Sequence, residues 1–142
     1  MRQIGFTLPE VIITVVVIAI LVGIGIPVYN GIIDNQRLKS AIAQLDSDFR
    51  NAQTKAKATS VEYKIEFTLS NTYYDISNIK TGEKTPRPLD GGVSIGNTGS
   101  ISFWPATNLS ETSSGTVRLV TSSGRKASIA IDSNGLITTQ YE

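Results

Sequence analysis

Residues 1–28 read MRQIGFTLPEVIITVVVIAILVGIGIPV, and the fold turns on what this stretch is. From Val11 to Val28 the chain is apolar except at Thr14, Gly23, Gly25 and Pro27. As a helix that run spans roughly 27 Å, about the thickness of bilayer hydrocarbon. At its head stands Glu10, a carboxylate in the setting where an isolated charge is least welcome.

Two other readings fit less well. A buried core helix needs apolar surface on every side, and the remainder of the chain, rich in Ser, Thr and Asn, offers none of comparable extent. A secretory signal peptide places its small-residue cleavage site after the apolar region, whereas the only small residue near the start is Gly5, ahead of it. Cleavage at Gly5 leaves the hydrophobic helix on the mature protein. Arg2 on the short side favours a cytoplasmic N-terminus, which places the polar remainder outside.

With 142 residues the chain has room for one domain. It contains no cysteine and no histidine, which removes disulfides, thiolate or imidazole metal ligation, and any nucleophile that needs a histidine base. No cofactor site is expected. A net charge of +1 carries no basic excess that would advertise nucleic acid or anionic lipid as the main partner.

Gly5-Phe6-Thr7-Leu8-Pro9-Glu10, followed by the apolar run and Pro27, resembles the processing site of type IV pilins and of the pseudopilins of type II secretion. The resemblance implies that prepilin peptidase cuts after Gly5, that Phe6 becomes a methylated N-terminus, and that Glu10 serves assembly. Pro9 is consistent with cutting there. Within a helix its ring clashes with the carbonyl four residues back, that of Gly5, and its missing N–H matters least in the first turn.

Glu10 can then be weighed. A carboxylate in lipid costs a few kcal/mol on insertion scales, and a helix N-terminus offsets about 0.3–2 kcal/mol of that. The α-amino group that cutting creates on Phe6 is a cation at the same depth. It can pair within its own chain; the resemblance implies instead that the amine of an incoming subunit pairs with the glutamate of a neighbour. A glutamate that merely marks the headgroup level is the plainer alternative.

Gly23-Ile24-Gly25-Ile26-Pro27 opposes a continuous helix by about 1 kcal/mol per glycine and about 3 kcal/mol for the proline. Pro27 matches a proline after which pilin helices unwind in the filament, so the resemblance implies a weak point that melts on assembly. A tolerated kink is the alternative.

Beyond Pro27 the pattern becomes amphipathic. Leu38, Ile42, Leu45, Phe49, Ala52 and Ala56 form one helical stripe, with Arg37, Lys39, Asp46, Asp48, Arg50 and Lys55 expected on other faces. From Val61 to Leu69 the period becomes two, and further short strands are expected near 73–76, 92–95, 100–104, 116–120, 127–132 and 136–139, with Asn134-Gly135 as a hairpin signal. Lys80 to Gly92 and Thr107 to Gly115 read as irregular loops. The expected class is α+β: a long N-terminal helix, transmembrane in its first half and amphipathic in its second, packed on an antiparallel sheet domain. The expected segments are a leader over 1–5, the membrane and assembly helix over 6–28, its amphipathic continuation over 29–59, and an extracytoplasmic β-rich domain over 60–142.

The C-terminal stretch is similar to the H-like, or FimT-like, minor pseudopilins, with Phe103, Gly115, Val117, Leu119, Ile129, Ile131 and Gly135 in the matching places. Some members linked to DNA uptake carry Arg after the last glycine; here Leu136 stands there. Arg118, Arg125 and Lys126 could form a nucleic-acid patch around the hairpin, but no aromatic residues interleave with them and solvated strand charges explain them as well. Fragments that mimic penicillin-binding or phosphate-loop motifs are incomplete.

The expected function is that of a minor pseudopilin of a type II secretion pseudopilus, and not an enzyme. A minor type IV pilin, or an anchored binding domain that never polymerises, are the alternatives. Expected partners are other pilin or pseudopilin subunits, the prepilin peptidase and methylase, the inner-membrane assembly platform with its ATPase, and membrane lipid.

Overall fold

A computed structural model describes residues 7–89, 91–105 and 112–142, and gives residues 24–28 by their backbone alone. Among the described residues the element order is one helix followed by eight strands. Helix α1 runs Leu8–Thr59, and the strands are β1 Tyr63–Phe67, β2 Tyr73–Asn78, β3 Lys84–Pro88, β4 Val93–Ile95, β5 Gly99–Phe103, β6 Gly115–Thr121, β7 Lys126–Ile131 and β8 Ile137–Tyr141. The class is α+β with antiparallel sheets. The chain divides into two compact units, residues 1–33 and 34–142.

In the second unit the apolar stripe of α1 does what its spacing predicts. Leu38, Ile42, Leu45, Phe49, Ala52 and Ala56 are all buried. Steps of three and four residues hold one face of a helix toward a core, and that core is completed by the inward residues of the strands. Ile65 and Phe67 of β1, Val117 and Leu119 of β6, and Ile129 and Ile131 of β7 are buried at alternate positions. The Phe49 ring meets that of Phe103 at a centroid distance of 6.0 Å, tilted by 46°. Tyr74 and Phe103 belong to the core, while Tyr73 and Trp104 are exposed.

Several sequence expectations are corrected. The strands form two sheets rather than one, in the orders β3-β2-β1-β5 and β4-β6-β7-β8. The first strand stops at Phe67: Ser70 takes a φ of 68° in the turn that follows, and Leu69 is left exposed. The third concerns Lys80 to Gly92, read as a loop because of its prolines, which contains β3. Asn78 N donates to Glu83 O and Leu89 N to Thr72 O, so the bonded register places Thr85 and Arg87 toward β2. Pro86 and Pro88 therefore turn toward the open edge, where a missing N–H breaks no ladder bond. The Asn134-Gly135 signal also lies in a wider turn than two residues, in which the Asp132 carboxylate accepts from the N–H groups of Asn134 and Leu136 and Gly135 adopts φ 80°.

Strand β3 is fixed to α1 by a buried carboxylate that the helical stripe assigns to the outer face. Asp48 is 3% exposed. Arg87 donates to both of its oxygens, at 3.1 and 2.9 Å, and the Tyr74 hydroxyl donates to it at 2.6 Å. Gln44 adds a bond to Pro88 O at 2.9 Å. Burial alone pushes the Asp48 carboxyl up, but the bonds from Arg87 and Tyr74 and the charges of Arg87 and Lys55 outweigh it and hold the group below the usual carboxylate range. Tyr74 is pushed up by burial and by its bond to Asp48, so it stays a donor at any ordinary pH.

Phe49→Ala removes the largest apolar side chain of the stripe and is expected to destabilise the fold by about 3–5 kcal/mol in urea titration; a loss below about 1 kcal/mol would contradict this core assignment. Asp48, with its folded pKa depressed, contributes stability that is complete above the unfolded carboxyl pKa of about 3.9 and is lost as pH falls through the folded value. Arg87→Met takes away its strongest partner, so acid unfolding followed by circular dichroism is expected to begin at higher pH than in wild type. An unchanged acid limb would show that the ion pair does not hold β3.

Candidate functional site

The first turn of α1 is built by local chemistry. Thr7 precedes the helix, and its carbonyl accepts from the N–H groups of Glu10 at 3.1 Å and Val11 at 3.3 Å. Pro9 falls inside that turn, where a helix has no carbonyl to offer its missing N–H. Thr7 and Glu10 stand three apart, the spacing of a capping box, which is a second helix-start signal carried by the sequence itself. Glu10 is exposed, and its negative charge lies at the positive end of the helix. Thr14 Oγ1 donates to Glu10 O at 2.8 Å, which turns this polar side chain back onto its own helix. Among the described residues the Glu10 carboxylate has no ion-pair partner.

Gly5 and Phe6, the expected processing residues, lie outside the described residues. Gly23, Gly25 and Pro27 fall within α1, whose backbone is helical throughout. That continuity belongs to the single chain, whereas the expected melting belongs to an assembly.

The apolar residues following Glu10 find no cover in their unit. From Val11 to Val22 the large side chains expose between 48% and 65% of their surface, on every face of the helix. A helix that is apolar all round requires an apolar surround. Among the described residues no helix is long and apolar enough to cross a membrane; the described side chains of the apolar run end at Gly23.

The basic residues around the β6–β7 hairpin are used in different ways. Arg118 and Lys126 line one shallow groove on the second sheet, together with Glu142. Arg125 turns to α1 instead and donates from Nη1 to Asn35 Oδ1 at 2.7 Å. In the same region Ser123 donates a short hydrogen bond to the buried Asp34, which also meets Arg37 at 3.5 Å. These contacts pin the β6–β7 turn to the start of the buried part of the helix.

A polar cavity of about 250 Å³ lies beside β3, lined by Asp48, Asn51, Lys55, Tyr63, Asn78 and Arg87 among others. Its perturbed groups, Asp48 and Arg87, already satisfy each other. No group of acidic residues among the described residues has a metal-binding arrangement.

No curated protein and no solved structure matches the chain. Residues 1–26, however, match the family described as the prokaryotic N-terminal methylation motif. The match takes in Gly5, Phe6, Glu10 and most of the apolar run, and it supports the type IV pilin and pseudopilin class, that is, a pilin-like precursor processed by prepilin peptidase.

Proposed function

We propose that this chain is a minor pseudopilin of the H-like type, which assembles through its N-terminal helix into a type II secretion pseudopilus. The observation that carries the proposal is the methylation motif over residues 1–26, joined to a first-turn glutamate without an ion-pair partner among the described residues. Prepilin peptidase cuts between Gly5 and Phe6, and Phe6 is methylated. Residues 6–28 then hold the protein in the cytoplasmic membrane as a single span, with the β-rich domain on the far side.

Electrostatics gives assembly its direction. The Glu10 charge within lipid is unfavourable by a few kcal/mol, and the helix N-terminus offsets about 0.3–2 kcal/mol of it. The new amine of an incoming subunit supplies the missing cation. Each addition thereby neutralises a charge already in the membrane. The chain itself performs no catalysis, and the energy for extraction comes from the ATPase of the assembly platform. The same N-terminal chemistry serves a minor type IV pilin, and gene neighbourhood separates the two: secretin and secretion genes on one side, a retraction ATPase and competence genes on the other.

Mass spectrometry of the mature protein is expected to find a chain that begins at Phe6 and carries one additional methyl group. A functional form that retains Met1 would overturn the class. Glu10→Ala is expected to leave membrane levels unchanged while incorporation into pseudopili falls at least about tenfold, the equivalent of losing one charge-assisted pairing. Incorporation at the wild-type level would leave the protein as an anchored domain.

A further inference from the structure

Each sheet has two edges, and three of the four are closed. Strand β3 turns Pro86 and Pro88 outward, so its free edge lacks donors there. Along β5, Ser113 N donates to Ser102 O and Ser113 Oγ accepts from Ser102 N. On β4, Ile95 N donates to Asn71 O and Ile95 O accepts from Ser70 N.

Strand β8 is different. Asp132 N donates to Leu136 O and Glu142 N to Lys126 O, which sets the bonded register with β7. Residues 136, 138, 140 and 142 therefore face β7, and Ile137, Thr139 and Tyr141 turn their N–H and C=O groups outward. No described residue bonds to those outward groups. The strand reads Ile-Thr-Thr-Gln-Tyr, without proline, glycine or charge, which are the usual guards of an edge. Thr138 through Tyr141 are exposed.

We propose that β8 is a pairing edge for a second copy of this chain, with the two strands antiparallel about Thr139. That register pairs all three outward-facing residues of one strand with those of the other. Thr139 meets Thr139, and Ile137 meets Tyr141 twice, a β-branched residue against an aromatic, while Thr138 meets Gln140 on the other face. Every outward N–H and C=O of both strands then finds a partner, and no like charges are brought together. The contact is isologous, so it closes at two copies. It uses only residues of the second sheet and stands whether or not the chain enters a pseudopilus.

The full-length protein in detergent, analysed by sedimentation equilibrium, is expected to dimerise reversibly. Thr139→Pro removes an outward N–H and no bond to β7, so it is expected to raise the dimer dissociation constant at least about tenfold with an unchanged melting temperature. The chain lacks cysteine, which makes Thr139→Cys a clean second probe. In the proposed register its two Cα atoms lie about 5.5 Å apart, within the range of a disulfide. Mild oxidation is expected to link Thr139→Cys chains, and not Thr85→Cys chains on the closed edge. A monomeric wild type, a dimer unaffected by a folded Thr139→Pro variant, or equal linking at both cysteines would overturn the proposal. Should Thr139→Pro fail to fold, the comparison of cysteines decides.

Discussion

A single helix has to satisfy two incompatible surroundings. After Asp34 its apolar residues return every three or four positions and are buried to 5% exposure or less. Before it, from Val11 to Val22, apolar side chains occupy every face and keep about half of their surface exposed. One stripe can be covered by sheets of the same chain, but an all-round apolar surface cannot, because a chain this short has only one core's worth of cover. Among the described residues nothing in its unit covers the first part of the helix, and this observation underlies the proposed function.

The β-rich unit meets its own demand economically. Two four-stranded sheets supply alternating inward residues, and α1 supplies the stripe that they enclose. Asp48 is the more deeply buried of two carboxylates in this arrangement, the other being Asp34. A buried carboxylate is tolerable only with its lone pairs occupied, and Arg87 and Tyr74 occupy them. Since Arg87 belongs to the proline-bearing edge strand, the bonds that satisfy Asp48 also hold β3 on the helix. Wherever β3 failed to dock, an unpaired charge would remain in the core.

Much of this was legible in the sequence. The stripe from Leu38 to Ala56 and the alternation in β1, β6 and β7 are periodic signals, and periodicity survives without tertiary information. What escaped depends on partners distant in sequence. Lys84–Pro88 reads as a loop because proline opposes strands in general, and only the register with β2 reveals that Pro86 and Pro88 face the open edge. Asp48 reads as a solvent-facing charge because its partners stand 26 and 39 residues away. The division into two sheets was equally invisible, since alternation gives each strand an inner face without saying which strand lies beside it. At the N-terminus the opposite holds: the motif was read whole from residues 5–10, while Gly5 and Phe6 themselves lie outside the described residues.

Glu10 and β8 raise the same physical question at opposite ends of the chain. Each presents groups whose natural partners are absent from the described part of the monomer: a carboxylate without a cation, and backbone donors and acceptors without a ladder. In water both are satisfied by solvent, and neither compels association. The difference lies in the surround. The residues after Glu10 call for an apolar medium, and in such a medium solvent can no longer serve the carboxylate, so pairing becomes the low-energy outcome. Strand β8 stays in water, where a backbone bond between copies gains only about 1 kcal/mol over a bond to solvent. On the two proposals above, association through the helix is persistent and directional, and association through β8 is reversible and set by local concentration.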